Sequence, residues 1–574
     1  MAKANFILTF RDTATRRLAG IDTQFFECRS YHNGNPDSLC VFEDHRYKVT
    51  IWGDAAQASQ NTQMINDIII QSAHSYWGRS WVCFDKQERV LTAATDKLGL
   101  FPIHSYITDD FCILASSRKE LISCLPQKPR VNPQAMLQML CFSQVLDSSS
   151  IFAGVDHHEG GTKILVSANG ELSVQVNREN ALFTGEVTDF DDALDAFVAA
   201  VKSSLDHSPE AIISLSGGLD SRLILAAALS CGYKVTGLSY GSEGSSDIVI
   251  ARALAAAAKI PLFTSRSREN QCKWQASKRI AEHGMGEVAL HHGHALIDED
   301  LITQTMRRSV ITGTGAETYR AFYYDRGMPG FSLFGYKALT DRFLPHAKRY
   351  IREEFGKTAT PLKNALPGHA AQINSWLENV LTQHENNQLS AASYLDNFYL
   401  KVRVPRMVAA GQQLLDDFYD RSHPFLDQNV VHYAGNLPAH MKLGSTFHRK
   451  AIEKLSPKLA SITWDKTSQP LKSGISIRAR YPGLASRLGM APAWGKQSGA
   501  IFNYSAWLQA QDTSIVGKVL QTVGVEATSA TQAVNILMSS PVATHVQGFA
   551  TIWSYFLTES TNAAQPVNNI GALA

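Results

Sequence analysis

The stretch that decides the interpretation of this chain is Ser216-Gly217-Gly218-Leu219-Asp220-Ser221. An apolar run at residues 211–215 predicts a short buried strand before it, and a helical pattern at residues 222–230 follows it and ends at Gly232. A glycine pair between strand and helix lets the backbone turn sharply, so its N–H groups and the helix amino end form an anion site. A tight turn without ligand is the alternative for the bare glycine pair, but the hexapeptide in this context favours phosphate.

The sequence around the hexapeptide alternates between strand and helix patterns. Residues 235–240 are typical of a second strand, and residues 189–205 and 247–259 are typical of helices. This alternation predicts a parallel, doubly wound sheet with its ligand at the carboxyl ends of the strands. Beyond residue 357 the pattern is largely helical, which predicts a helical carboxy-terminal part.

The first third of the chain has a different pattern. From residue 4 to about residue 176, short runs rich in Val, Ile, Phe and Tyr are separated by Gly, Asn and Asp, with one helical stretch around residues 61–75. This pattern predicts a strand-rich amino-terminal domain. The predicted fold class is therefore α/β, with a first domain at residues 1–180 and a second at residues 185–574.

Composition narrows the class of protein. A chain of 574 residues exceeds what one core usually organises, and 54 basic against 52 acidic residues give no reason to expect a nucleic-acid partner. The eight cysteines show no CxxC spacing, so we expect reduced, structural thiols. The amino terminus lacks a secretory layout, and the alanine-rich residues 248–263 are too short to span a bilayer, so we expect a soluble, cytoplasmic protein without a membrane partner.

The hexapeptide resembles the PP-loop of the asparagine synthetase family, whose members adenylate a carboxylate and release pyrophosphate. Further segments continue the resemblance in the same order along the chain: Leu238-Ser239-Tyr240-Gly241 with Ser246-Asp247, then Ile311-Thr312-Gly313-Thr314-Gly315-Ala316-Glu317, then Pro424-Phe425-Leu426-Asp427. The resemblance implies ATP and Mg²⁺ as cofactors. It also implies a pyrophosphate site formed by Ser216, Gly217, Gly218 and Ser221. The nucleotide pocket that it implies is lined by Leu215, Tyr240, Thr312 and Gly313.

The same resemblance implies that Asp220 and Glu317 are the magnesium ligands and act in catalysis. Glu317 stands where the family usually has Asp, which changes its reach but keeps a hard oxygen ligand. The alternative is that Glu317 is a carboxylate at a helix amino terminus, where the helix dipole favours it.

The amino-terminal part resembles the family's glutaminase domain, of Ntn-hydrolase type, at Thr95-Asp96-Lys97-Leu98-Gly99-Leu100-Phe101-Pro102-Ile103 and at Ala115-Ser116-Ser117. Such a glutaminase needs a cysteine as its first residue, because the free α-amino group activates the thiol. This sequence starts Met1-Ala2-Lys3, and its first cysteine is Cys28. We therefore expect residues 1–180 to be an inactive scaffold and the attacking amine to come from the substrate itself, which indicates cyclisation.

Two cyclising branches of the family are candidates. The β-lactam synthetases that this chain resembles have a catalytic Tyr at the position of Thr314 and a catalytic Lys at that of Ser445, four residues before Arg449. Both departures argue against β-lactam closure and leave the general base open. Thr314 is either a catalytic residue or a turn residue that satisfies backbone groups.

Lasso peptide cyclases, which join a precursor's amino terminus to an Asp or Glu side chain, are the favoured branch. Val430-Val431-His432-Tyr433-Ala434-Gly435 and Ile462-Thr463-Trp464-Asp465-Lys466-Thr467 resemble segments of these cyclases. The basic residues that could stabilise the adenylate or leaving group, or else be solvated surface cations, are Lys442, Arg449, Lys466 and Lys472. Of these we predict Arg449 and Lys466 as catalytic.

The lasso resemblance implies a peptide carboxylate substrate and, as pathway partners, a leader peptidase and a leader-binding protein. The alternatives are a small-molecule carboxylate such as a sugar acid, amidated with free ammonia, a β-lactam-synthetase-like cyclase, and a pseudoenzyme scaffold that binds nucleotide.

Three other clusters remain open. His291-His292-Gly293-His294 either binds zinc, lines the acceptor pocket as a proton acceptor, or packs internally. Four aromatic residues either wall the substrate or form core: Tyr319, Phe322, Tyr323 and Tyr324. Three arginines either buttress the site or form structural ion pairs: Arg403, Arg406 and Arg421.

Overall fold

The structure is a computed structural model. It describes residues 5–11, 26–31, 39–71, 75–108, 111–125, 127, 129–166, 172–176, 188–265, 273–305, 308–320, 323, 344–384, 391–467, 469–471, 504–509 and 513–557. Residues 177–187, which span the boundary between the two predicted domains, lie outside these ranges, as do Phe322, Tyr324 and Lys472.

The amino-terminal part contains two antiparallel sheets. Its strands are β1 (Asn5–Arg11), β2 (Phe26–Tyr31), β3 (Leu39–Glu43), β4 (Tyr47–Gly53), β5 (Arg79–Asp85), β6 (Val90–Ala94), β7 (His104–Ile107), β8 (Phe111–Ala115), β9 (Val155–His157), β10 (Thr162–Val166) and β11 (Leu172–Val176). One sheet has the order β2-β1-β8-β7-β9 and the other the order β11-β10-β6-β5-β4-β3. The predicted strand-rich amino-terminal region is confirmed.

Three helices accompany these sheets: α1 (Asn61–Ile69), α2 (Arg118–Ser123) and α3 (Pro133–Phe142). Met64 and Ile68 of α1 pack with Val49 and Trp81 on one face of the six-stranded sheet. The prediction of helical structure as far as residue 75 was too long. The helix stops at Ile69 because the chain turns there, and Gln71 takes a left-handed φ of 61°.

The predicted parallel sheet is confirmed. It consists of β12 (Ile212–Ser214), β13 (Thr236–Ser239), β14 (Leu262–Thr264), β15 (Ser309–Ile311) and β16 (Asp420–Ser422), all parallel, in the order β14-β13-β12-β15-β16. The chain runs outward from β12 in one direction and then returns to its other side at β15. Ligands of such sheets bind where the strand order reverses, which here is between β12 and β15.

The helices between these strands are α4 (Phe190–His207), which precedes the sheet, α5 (Asp220–Ser230), α6 (Ser246–Ala258), α7 (Lys273–Gly284) and α8 (Glu299–Thr305). Ala193, Leu194 and Phe197 of α4 are buried in the same apolar cluster as Ile213 of β12. The i, i+1 and i+4 spacing of these side chains is typical of an amphipathic helix that lies on a sheet.

The carboxy-terminal part is helical, as predicted, although its first described helix begins at Leu344. Its helices are α9 (Leu344–Ala365), α10 (Ala370–Gln383), α11 (Ala391–Phe398), a π-helical segment (Tyr399–Val408), α12 (Ala409–Gln413), α13 (Gln428–Asn436), α14 (Ala439–Lys442), α15 (Thr446–Leu455), α16 (Pro457–Ala460), α17 (Tyr504–Gln509), α18 (Ser514–Thr522), α19 (Ala527–Met538) and α20 (Ala543–Leu557). None of the helices in the described ranges is long and apolar enough to cross a bilayer.

The carboxy-terminal helices pack against the amino-terminal part. The rings of Phe152 and Phe556 lie 5.5 Å apart, and those of Phe142 and Phe355 lie 6.1 Å apart. The two parts of the chain therefore share one buried apolar cluster.

Candidate active site

The hexapeptide forms a closed loop at the reversal point of the parallel sheet. Strand β12 ends at Ser214, and α5 begins at Asp220. The Ser216 amide donates to Ser221 Oγ at 3.0 Å, and the Gly218 amide donates to Ser216 Oγ at 3.3 Å. The predicted strand, turn and helix are thus present, and the loop's own serines hold its shape.

Two residues from other segments support the middle of this loop, Asp247 through its carboxylate and Asp465 through its backbone amide. The Gly217 amide donates to Asp247 Oδ1 at 2.6 Å, and the Asp465 amide donates to the Gly217 carbonyl at 3.5 Å. A Cβ at Gly217 would lie 3.0 Å from Asp465 Cβ, so the close approach of the two segments favours glycine here. Burial raises the pKa of both Asp247 and Asp465.

The two predicted magnesium ligands lie together. Arg320 Nη2 is 3.1 Å from Asp220 Oδ2 and also 3.1 Å from Glu317 Oε1. His448 Nε2 is 3.1 Å from Asp220 Oδ1. Gly313 allows this approach, because a Cβ there would lie 2.9 Å from Asp220 Cβ. The structure thus brings Asp220, Glu317 and Gly313 together, and it adds Arg320 and His448, which sequence analysis did not predict.

The neighbouring groups in this cluster shift one another's pKa values. Burial opposes the ionisation of Asp220, but Arg320 and His448 outweigh it, so the pKa of Asp220 lies below its usual value. Burial also lowers the pKa of His448, against the opposite pull of Asp220. The pKa of Tyr399 is raised well above its usual value, first by burial and then by the neighbouring Glu317. The cluster therefore holds an ionised Asp220 beside a permanent cation.

The side chains fit a magnesium ion that also binds phosphate. Asp220 and Glu317 offer hard carboxylate oxygens at one point, and Glu317 Oε2 is buried with no hydrogen-bond partner among the described residues. Within the described ranges, no group of three or more His, Cys, Asp or Glu side chains is placed to hold a metal. Magnesium usually takes only one or two protein carboxylates and completes its shell with substrate phosphates and water, so two carboxylates are sufficient.

Two threonines follow β15 at the same edge of the sheet. Thr312 Oγ1 donates to Thr314 Oγ1 at 2.9 Å and lies 2.7 Å from His423 Nδ1. Thr314 is buried in this network, which gives its alternative role as a turn residue a structural basis, while its catalytic role stays a prediction. Leu215 is buried in the core, and its amide donates to the Leu238 carbonyl at 2.7 Å.

Tyr240 lies beyond the end of β13 and is buried. Its ring is 5.7 Å from that of His294 in a T-shaped arrangement. Burial and the neighbouring Tyr419 raise its pKa well above the usual value, so the phenol stays protonated. Tyr240 is therefore a neutral, largely apolar wall, as a nucleotide pocket requires.

The predicted catalytic cations lie in different surroundings. Arg449 is buried on α15, and its Nη2 donates to the Leu471 carbonyl at 3.0 Å. Lys466 is exposed, with Nζ 5.9 Å from the centre of the Trp464 ring. Lys466 partly opposes the burial that raises the pKa of Asp465, and it adds a small contribution to the lowered pKa of Asp220.

Lys442 has a structural role. Its Nζ lies 2.9 Å from Asp396 Oδ2, and the two side chains are 1% and 6% exposed. This buried ion pair joins the end of α14 to α11, so the structure gives Lys442 a partner away from the carboxylate pair.

Arg222 is a further residue that sequence analysis missed. It lies on α5, is fully buried, and donates to the Ile462 and Thr463 carbonyls, each at 2.8 Å. Burial lowers its pKa to about 10. Arg222 therefore fixes segment 462–467, one of the two lasso-like segments, against the loop.

The other predicted clusters are mainly structural where they are described. Arg421 forms an ion pair with Asp416, and Arg406 donates to the Ser149 carbonyl at 2.9 Å. The guanidinium of Arg403 lies 5.6 Å from the centre of the Phe355 ring. These contacts favour the structural interpretation of the three arginines.

The described members of the aromatic and histidine clusters lie in different surroundings. Tyr319 stacks on Phe447 at 4.4 Å and donates to the Val430 carbonyl at 3.2 Å, so it is core. Tyr323 is buried with its ring 6.0 Å from that of Tyr399, next to Glu317. Burial lowers the pKa of His294, which lies beside Tyr240, so its place in an acceptor pocket stays a prediction.

The missed residues differ in how visible they were in the sequence. Arg320 follows Glu317 by three residues and His448 precedes Arg449 by one, so proximity to predicted site residues was an available signal for both. Arg222 lies on the buried side of α5, where no sequence pattern distinguishes it from a surface arginine.

Comparisons with known proteins relate part of the chain to one sequence family. Residues 192–283 match the sequence model of the asparagine synthase family. Asparagine synthetase [glutamine-hydrolyzing] 1 of Bacillus subtilis (strain 168) is 23% identical over 423 residues, which are 66% of this chain and 65% of that protein. The chain thus covers slightly less than two thirds of this relative, and it is asparagine synthetase-like in sequence.

A search of solved structures gives a much weaker likeness. Glutamine phosphoribosylpyrophosphate amidotransferase from B. subtilis, complexed with ADP and GMP, is 9% identical and aligns over 55% of this chain and 71% of its own, with a TM-score of 0.18. A score this low does not relate the two folds.

Proposed function

We propose that this chain is an ATP-dependent ligase that forms a carbon–nitrogen bond through an acyl-adenylate, with release of AMP and pyrophosphate. The observation that carries the proposal is the loop 216–221 at the reversal point of a parallel sheet, with Asp220 and Glu317 converging on one point beside it. The match of residues 192–283 to the asparagine synthase family supports it.

The arrangement suits phosphate chemistry for three reasons. The amino end of α5 carries the positive end of a helix dipole, and it faces the loop where pyrophosphate would bind. Asp247 and Asp465 fix the loop in advance, so little reorganisation accompanies binding. Magnesium held by Asp220 and Glu317 would neutralise the charge that develops on the departing pyrophosphate.

The reaction has two chemical steps. A substrate carboxylate attacks the α-phosphate of ATP, and the bond from that phosphate to pyrophosphate breaks. An amine then attacks the acyl carbon of the adenylate, loses a proton, and displaces AMP to give an amide. Tyr240 would exclude water from the nucleotide, while Arg449 and Lys466 would stabilise the adenylate or leaving group. Asp220 is kept ionised at neutral pH by Arg320 and His448.

For the substrate, we favour the side-chain carboxylate of a precursor peptide that is joined to the peptide's own amino terminus, as in lasso peptides. Segment 462–467 supports this choice, because it contacts the loop through Asp465 and is fixed by Arg222. Segment 430–435 supports it too, since the Val430 carbonyl accepts a hydrogen bond from Tyr319, which lies in the same turn as Glu317. A leader peptidase and a leader-binding protein would then act in the same pathway.

In this proposal, residues 1–180 form an inactive, Ntn-hydrolase-like scaffold, and residues 185–574 form the synthetase. The chemistry of three buried thiols in the first part supports this proposal. Burial raises the pKa of Cys83 and Cys112 to about 12 and also raises that of Cys141, so these thiols are poor nucleophiles.

The decisive experiment measures carboxylate-dependent release of pyrophosphate and AMP, with ATP, magnesium and candidate peptides bearing an internal Asp or Glu. Asp220→Asn removes the charge without changing the size of the side chain, and we expect it to lower the rate at least about 100-fold. Asp191→Asn is the matched control, because that carboxylate is 65% exposed on α4 and pairs with Lys454. Equal rates in the two variants would refute the assigned role of Asp220.

Product mass separates the alternatives. Internal cyclisation removes one water from the peptide, whereas capture of free ammonia replaces a hydroxyl group by an amino group. Nucleotide binding without any carboxylate-dependent release would favour a scaffold protein instead.

A further inference from the structure

Arg320 occupies the point at which a cation between the two predicted magnesium ligands would lie. A single nitrogen, Nη2, is 3.1 Å from Asp220 Oδ2 and 3.1 Å from Glu317 Oε1. The three side chains are largely buried, with exposures of 22%, 20% and 17% for Asp220, Glu317 and Arg320. A guanidinium placed in this way compensates both carboxylates at once.

Close packing keeps Arg320 in position. Arg320 lies directly after the turn Ala316–Tyr319, whose Tyr319 is locked between Phe447 and Phe425. The chain before the turn is equally constrained, because a Cβ at Gly315 would lie 2.3 Å from Leu426 Cδ2. Because Arg320 follows Glu317 by only three residues, its guanidinium is held next to the carboxylates at a high effective concentration.

We propose that Arg320 is a built-in counter-ion that competes with divalent metal for Asp220 and Glu317. In the nucleotide-free chain the guanidinium excludes the metal. When a nucleotide binds, its phosphates supply both additional metal ligands and a new anionic partner for Arg320, so the metal enters together with the nucleotide. Arg320 is thus a positioning residue that makes metal binding conditional on nucleotide.

The inference uses the same carboxylates as the proposed function, but its test needs neither ATP nor a carboxylate substrate. Binding of Mn²⁺ alone, without nucleotide, is measured by the loss of the free-ion signal in electron paramagnetic resonance. The variants are Arg320→Met and Arg320→Gln, which keep much of the side-chain volume without its charge. We expect both to bind one Mn²⁺ at least about tenfold more tightly than the parent chain, since the competing charge is removed.

Two controls locate the new site and check folding. In Arg320→Met/Glu317→Gln one of the two carboxylates is neutral, so the gain in affinity should disappear. Because unpaired carboxylates repel, Arg320→Met should melt below the parent chain in EDTA and recover when Mn²⁺ is added. The inference is overturned if the parent chain already binds Mn²⁺ as tightly as the folded variants, or if the gain survives in the double variant. If the parent chain shows no ligase activity, that finding counts against the proposed function but leaves the comparison of Mn²⁺ affinities unchanged.

Discussion

Replacement of Lys442 by methionine should test whether this lysine is structural or catalytic. The substitution keeps the volume of the aliphatic chain but removes the ion pair with Asp396, 2.9 Å away, at a place where the two side chains are 1% and 6% exposed. Breaking a buried pair on one side costs about 3–5 kcal/mol, because the remaining charge stays desolvated after the opposite charge is lost. The unfolding entropy of a chain of 574 residues converts that loss into a fall of about 3–4 °C in melting temperature.

The double variant Lys442→Met/Asp396→Leu supplies the control. It removes both charges, so it should recover at least half of the lost stability. Scanning calorimetry or thermal scanning fluorescence of the three proteins at one scan rate measures this, together with AMP release. A single variant that melts with the parent chain would refute the ion-pair argument. A double variant that regains its stability but has lost AMP release would mean that Lys442 takes part in the chemistry.

Two further predictions concern the backbone turn and the acid limit of stability. Gly315→Ala should lower the free energy of unfolding by about 2–5 kcal/mol, because its φ is +91° and the new Cβ would meet Leu426 at 2.3 Å. Gly232→Ala is the control: its φ is +82° and the new Cβ would have no atom within 4 Å, so it should lower that free energy by only about 1 kcal/mol. Equal losses in the two variants would contradict the steric part of the argument. Burial raises the pKa of Asp417, but its bond to His283 at 2.5 Å outweighs this and lowers the pKa to about 2. A lowered pKa stabilises the fold above the ordinary value near 4 and less as pH falls toward 2, so Asp417→Asn should lose about 1–2 kcal/mol at pH 7 and progressively less between pH 4 and pH 2. Urea midpoints measured across that range check this, and a difference that does not vary with pH would contradict it.

The sequence predicted the conformation of loop 216–221 well because its signals are local. The apolar strand, the glycine turn and the helix from Asp220 follow one another directly along the chain, and backbone sterics and hydrophobic periodicity dictate their form. Helix boundaries were less certain. The helical pattern at residues 61–75 did not reveal that Gln71 turns the chain at φ 61°.

The electrostatic setting of the site was much less visible. The exposed Lys466 and the buried Lys442 look alike in sequence, but one influences Asp220 and the other pairs with Asp396. The same is true of Arg222, which could be surface or core until α5 is placed against segment 462–467. Whether a cation is buried, and with which partner, depends on segments that are distant along the chain.

By itself, the sequence determined that the chain contains a strand-rich part, a parallel α/β sheet with a glycine turn between strand and helix, and a helical carboxy-terminal part, because hydrophobic periodicity and glycine positions act over short distances. Only the tertiary structure decided what surrounds Asp220. Strand β15 lies beside β12 and brings Glu317 and Arg320 to the loop, and α15 packs on α5 and brings His448. The physical reason is that a charge balance is a property of atoms 3 Å apart, and sheet order and helix packing, rather than neighbourhood in the sequence, set those distances.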